Sequence, residues 1–160
     1  MALSATKTTP YEFTAGEIVL ASQMNTIQEN VLWLQTPPVD TQSISSTTTT
    51  SASFVAVTGV TLTITTTGGD VAIWFSGQMQ HDTGGVGSLI DIGVDGTGQG
   101  DATNGLAGFT QTTTTYVWPI TIFYVKEALA AGSHTFTLRW KTGSGTLTLR
   151  TGGQFGVREI

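Results

Sequence analysis

Val60, Leu62 and Ile64 alternate with Thr61, Thr63 and Thr65, and the same period of two recurs along most of the chain. Successive side chains of a β-strand point to opposite faces, so this pattern specifies sheets with one apolar face and one face clad in hydroxyls. Val71, Ile73 and Phe75 continue it after a Gly68-Gly69-Asp70 turn. Ser88, Ile90, Ile92 and Val94 form a third face that ends at Asp95-Gly96, a strong hairpin signal. Phe136, Leu138 and Trp140 alternate with Thr137, Arg139 and Lys141; Leu147 and Leu149 follow Gly143-Ser144-Gly145; Phe155, Val157 and Glu159 close the chain. About eight short strands with Gly-rich turns and no intervening helix specify a mostly β domain, a jelly roll or β-sandwich, over residues 53–160.

The segment from Tyr116 to Val125 departs from the pattern. Tyr116, Trp118, Ile120, Ile122 and Tyr124 fall on one face, and Val117, Phe123 and Val125 on the other. A strand apolar on both sides is buried on both sides. In a small two-sheet domain the second side calls for another subunit, so Tyr116, Trp118, Phe123 and Val125 are the expected contacts between heads. Pro119 places this strand at a bulge or an edge.

Ahead of the β region lies a different periodicity. Leu20, Met24, Ile27, Val31 and Leu34 recur at spacings of four and three, the seam of a short coiled coil. Met24 and Val31 take the a positions and Leu20, Ile27 and Leu34 the d positions. Ile27 at d favours three or more strands over two. Thr14 and Glu17 have capping-box spacing, with Phe13 and Ile18 placed for a hydrophobic staple, while Gly16 moves the continuous helix toward Leu20. Pro37 ends it. The expected organisation is an arm over residues 1–13, a stalk-like helix over 14–36, a Pro/Ser/Thr linker or weak first strand over 37–52, and the β head. The other reading of the seam is an amphipathic helix packed on its own domain. Tyr11 and Phe13 on the arm, and Leu32 and Trp33 outside the seam, are the expected contacts with a shell or a neighbour.

Composition narrows the partners. Charged residues make up 11% of the chain, the net charge is −5, and the six basic residues are scattered, which excludes the basic stripe of a nucleic-acid binder. Cysteine is absent, so neither disulfides nor thiolate metal sites are available. Residues 1–9 are polar, unlike a secretory signal, and no apolar run reaches the length of about 18 residues that spans a bilayer.

The segment Gly16-Glu17-Ile18-Val19, with Ala21, Met24-Asn25-Thr26-Ile27 and Glu29-Asn30, resembles an N-terminal motif of small tailed-bacteriophage virion proteins. Their pattern reads Gly-Glu-x-Val-Thr-Ala-Ala-x-x-Asn-Thr; here Leu20 stands where Thr is usual. The β region is similar to theirs in Asp95-Gly96-Thr97 and in the run from Leu129 to Leu138, and in outline to the trimeric jelly rolls of the C1q and tumour-necrosis-factor type. The likeness spans most of residues 13–160. It implies a virion protein, either a capsid decoration (cement) protein or a tail or fibre component.

Catalytic signals are weak. His81-Asp82 is the one His beside a carboxylate, and a general base needs a nucleophile and an orienting partner around it. Asp91, Asp95 and Asp101 enclose a glycine-rich loop that invites a calcium reading. In an EF-hand register from Asp95, however, Thr97, Gln99 and Leu106 fall where ligands are required. His134 follows a turn and is placed to bond its backbone. Trp74 points opposite to Val71, Ile73 and Phe75, as a glycan platform or as an interface residue. The expectation is a non-enzymatic virion protein without a cofactor: a homotrimer that binds the major capsid protein or another virion protein. The alternative is a tail or fibre head that reads a host glycan. A hydrolase of surface polysaccharide would require a converging carboxylate pair.

Overall fold

The alternating segments form two antiparallel sheets that face one another across a common apolar core. The structure is a computed structural model and describes residues 21–35, 37–114 and 116–160. Among the described residues one helix, α1 (Ala21–Gln35), precedes eleven strands. These are β1 (Val39–Ile44), β2 (Thr47–Thr49), β3 (Val55–Thr66), β4 (Gly69–His81), β5 (Gly87–Val94), β6 (Thr97–Gly98), β7 (Ala107–Thr110), β8 (Trp118–Leu129), β9 (Gly132–Thr142), β10 (Leu147–Leu149) and β11 (Gly153–Glu159).

In the first sheet β4 pairs with β8 along one edge and with β11 and then β10 along the other. β1 and β2 continue the sheet beyond β11 and β10 respectively. In the second sheet the order is β3, β9, β5, with β6 and β7 following one another along the far edge of β5. Joined in this way, the short segments give two sheets, each four strands wide. The chain crosses repeatedly between them, as in a jelly roll.

Cross-strand rows carry the core. Ile122, Phe75 and Phe155 face inward side by side in the first sheet, and Leu62, Phe136 and Val94 do so in the second. Each such side chain removed from water contributes about 1.5–3 kcal/mol. Asp95 and Gly96 have φ of 49° and 81°, the left-handed pair that a two-residue hairpin between β5 and β6 requires.

Of the two readings of residues 37–52, the weak strand and not the linker fits: β1 and β2 lie within them, so the sheet begins at Val39 rather than at residue 53. This segment has few apolar residues, but its backbone pairs with β11 and β10, and Gln42 bonds across the sandwich edge to Gly59 O and Thr61 N. Tyr116 and Val117 precede β8 and so belong to neither of its faces. The described helix covers Ala21–Gln35, ahead of Pro37, and among the described residues α1 takes part in none of the larger packings between elements. None of the described helices is long and apolar enough to cross a membrane.

Candidate functional site

Met24, Ile27 and Val31 share one face of α1 through their three- and four-residue spacing. Met24 and Val31 are 45% and 47% exposed, and Ile27 is half-buried. Leu32 is half-buried as well. Tyr11, Phe13 and Leu20 lie outside the described residues, as do the side chains of Trp33 and Leu34.

β8 pairs only with β4 among the described strands, so its other edge is free. Its two faces differ. Ile122 is buried, Tyr124 is half-buried, and Trp118, at the open end of the same face, stacks on Phe109 of β7 with ring centres 6.2 Å apart and 28° between planes. That contact joins the two sheets at one side, so Trp118 is partly spent within its own chain although 43% of it is exposed. Phe123 and Val125 point outward. Phe123 is 69% exposed and neighbours Trp74 in register, while Val125 shares a row with Ala72, Arg158 and Val39. The outer face of the first sheet is therefore apolar around Phe123, Trp74, Val125 and Val39. Tyr116 is exposed in the segment leading to β8. The structure brings Phe123 and Val125 together, and sets Trp118 on the opposite side of the strand.

Edge strands invite unwanted pairing, and β8 carries features that limit it. Pro119 lacks a donor, Lys126 adds a charge, and the register slips between Gly69 and Val71 opposite Ala128, whose φ is 51°. Its exposed aromatic side chain is the feature that these devices do not explain.

The two members of the His81-Asp82 pair lie apart in setting, His81 at the end of β4 and Asp82 in the loop after it. His81 ends β4 fully buried, on the inward side of the alternation through Val71, Ile73, Phe75 and Met79. Nδ1 accepts the Thr83 N–H at 2.9 Å, which makes Nε2 the protonated nitrogen; it donates to Thr142 Oγ1 at 2.6 Å. Thr142 in turn donates to Ser144 O at 2.7 Å. Both ring nitrogens are thus committed to structural bonds. Asp82 is exposed and accepts from Thr83 Oγ1 and the Thr146 N–H; its carboxyl is held below the ordinary range chiefly by the Thr146 backbone bond.

The three aspartates of the glycine-rich region go to separate partners. Asp91 is buried, with Arg139 Nη1 3.8 Å away and the Gly100 N–H at 2.7 Å. Asp101 accepts from the Thr103 and Asn104 amides. Asp95 accepts from His134 Nδ1 at 2.7 Å and from the Thr135 N–H at 2.9 Å. His134 Nε2 donates to Ala130 O at 2.9 Å, which ties the β8–β9 turn to the β5–β6 turn. With acceptors at both nitrogens the His134 pKa is raised, first by Asp95, and the Asp95 pKa is lowered, first by His134. Among the described residues no group of three potential ligands could hold a metal ion.

No protein-family model matches the chain, and no curated protein matches it in sequence. Solved structures do resemble it. One is the structure of the infectious bursal disease virus Gx strain, with a TM-score of 0.51 at 13% identity over 76% of this chain and 32% of that one. The likeness is one of fold. This chain spans about a third of that structure's length. Weaker matches include a pentameric capsid protein from metagenomic phage sequences, with a TM-score of 0.29 and 19% identity, covering 77% of this chain and 61% of that one. Another is a carbohydrate-binding module of Cellvibrio mixtus lichenase 5A in complex with cellotriose, with a TM-score of 0.34 and 16% identity, covering 74% and 90%.

Proposed function

We propose that this chain is a non-catalytic virion structural protein that forms a homotrimer and decorates a capsid. The reading rests on one observation: apolar side chains stay uncovered on two separate elements, Phe123 on the outer face of the first sheet and Met24 with Val31 on α1. A short chain of low charge gains from covering both with identical copies. The motif around Gly16-Glu17 and Met24-Asn25-Thr26, which resembles phage virion proteins, and the jelly-roll fold support the same reading. Met24, Ile27 and Val31, with Leu20 and Leu34, hold the seam; Phe123 and Val125 pack head against head, with Trp118 and Tyr116 at the rim. A trimer presents three arms and three helices to a shell lattice at once, so weak contacts through Tyr11, Phe13, Leu32 and Trp33 add by effective concentration. Bound trimers then stabilise the shell by mass action.

The test is the mass of the purified protein in solution at micromolar concentration, together with its copy number per particle. A trimer present in many copies is expected. A strictly monomeric protein would overturn the reading, and a handful of copies per particle would move the protein to a tail or fibre. Ile27→Asp is expected to weaken assembly while leaving the β content of the head intact.

A further inference from the structure

On the outward face of the second sheet, away from the apolar surface described above, lies a cavity of about 430 Å³. We propose that it is a binding subsite for a carboxylated sugar, a uronic acid unit of an acidic polysaccharide. The site stands on its own chemistry and does not depend on the oligomeric state.

The alternation of β9 that sends Leu138 and Trp140 into the core sends Arg139 and Lys141 outward. Both cations gather over the ring of Phe54, just ahead of β3: Lys141 Nζ is 4.6 Å from the ring centre and Arg139 Cζ 5.8 Å. Lys141 forms no ion pair with any described residue, so its ammonium donors are open. Arg139 Nη2 donates to Phe54 O at 3.3 Å, and Nη1 stands 3.8 Å from Asp91 Oδ2, too far for a hydrogen bond. Asp91 is fixed by its other oxygen, Oδ1, on the Gly100 amide, while Oδ2 lies beside Gly98 and faces Arg139 Nη1. The floor between these groups is Gly98. A side chain there would run into Arg139 Nη1 and Asp91 Oδ2, so the glycine leaves both within reach of a ligand.

The walls therefore offer two cations and one carboxylate oxygen, in a chain whose net charge is −5 and which has six basic residues in all. A ligand that satisfies them carries a negative group for Lys141 and Arg139 and a hydroxyl to donate to Asp91. A carboxylated sugar has both on one ring. A neutral sugar leaves Lys141 unmatched and Arg139 with only Asp91 for a counter-charge, and a bare phosphate meets Asp91 as a like charge. An apolar ligand finds Ala52 and Ala102 on the walls and the Phe54 ring already under two cations. The volume is of the size that small-molecule sites have.

The test is a titration of the full chain, followed by amide chemical shifts, with an oligogalacturonate and with the uncharged galactose oligomer of the same length. The uronate is expected to bind, to weaken with added salt, and to lose about tenfold in affinity in Lys141→Gln, which removes a charge-assisted contact at a solvent-facing side chain. Gly98→Ala keeps every charge and is expected to weaken binding as well, by displacing Arg139 from Asp91. Three results would each overturn the proposal: no uronate binding at about 10 mM, equal binding of the neutral oligomer, or undiminished affinity in both variants. Tighter binding of an acidic peptide than of the uronate would also overturn it, since the site would then be a protein contact.

Discussion

Trp74 covers Gly156 across the β4–β11 pair: the two are partners in register, and a methyl group on the glycine would overlap the indole ring. The absence of a side chain at 156 lets the largest aromatic ring of the outer face lie down on the sheet, beside the exposed Phe123. Gly156→Ala is therefore expected to lift Trp74 outward. Its overpacking cost is about 1–3 kcal/mol, or about 2–4 °C of Tm per kcal/mol for a chain of this length. Thermal melting checks the first consequence, and the tryptophan emission maximum, moving to longer wavelength as the ring gains water, checks the second. Unchanged emission would show that the ring does not depend on the glycine.

Phe123 separates assembly from folding. At 69% exposure it contributes little to the core, so Phe123→Lys is expected to change monomer stability by no more than about 0.5 kcal/mol. If copies of the chain cover this face, the same substitution places a charge in each head-to-head contact and shifts the sedimentation profile toward monomer. A variant that assembles like the parent removes Phe123 from the interface.

The His134–Asp95 pair gives stability a pH dependence whose sign is fixed by its two shifts. The His134 pKa is raised from 6.5, so its contribution is complete below 6.5 and is lost as pH rises through the folded-state value. The Asp95 pKa is lowered from 3.8, so its contribution is complete above 3.8 and is lost as pH falls through the depressed value. The pair supports the fold most between these limits. Half of the Asp95 side chain is open to water, which keeps the effect small. Thermal melts at about pH 5 and about pH 8 are expected to differ less in His134→Gln than in the parent, because the alkaline loss disappears with the imidazole. An identical difference in both proteins would exclude the pair as its source.

Much of the fold is legible in the alternation, because an inward apolar residue at every second position leaves one register per strand. Val60-Leu62-Ile64, Val71-Ile73-Phe75 and Phe136-Leu138-Trp140 all face the core. β1 and β2 are harder to see, since Val39–Ile44 and Thr47–Thr49 owe their place to backbone pairing with β11 and β10 more than to apolar burial. The buried polar residues carried a signal that side-chain chemistry masks: Ser88, His81, Thr142 and Glu159 each continue an apolar alternation by one step and end up inside. The Phe54, Arg139, Lys141 and Asp91 cluster could not be read from the chain. Phe54 precedes β3, Asp91 lies on β5 and Arg139 and Lys141 on β9, and only the sandwich brings them together.

Gln111 shows how such a buried polar position is held. Beyond the start of β8, no described strand lies beside the edge of β4, and the Gln111 side chain takes that place: Oε1 accepts the His81 N–H at 3.1 Å and Nε2 donates to His81 O. Gln111→Ala leaves both backbone groups of a fully buried residue unpaired, at about 1–3 kcal/mol each, so a loss of about 2–4 kcal/mol is expected in urea unfolding after partial relaxation. Ser88 is the opposite case. Its hydroxyl is buried opposite Thr142 with no hydrogen-bond partner, so Ser88→Ala removes an unmatched polar group and is expected to stabilise the protein by about 1 kcal/mol. Opposite signs for two buried polar deletions in neighbouring positions would establish that hydrogen bonding, and not polarity itself, decides which residues this core tolerates. If Ser88→Ala destabilises, the hydroxyl has a partner in solution, and an ordered water between β5 and β9 is the candidate.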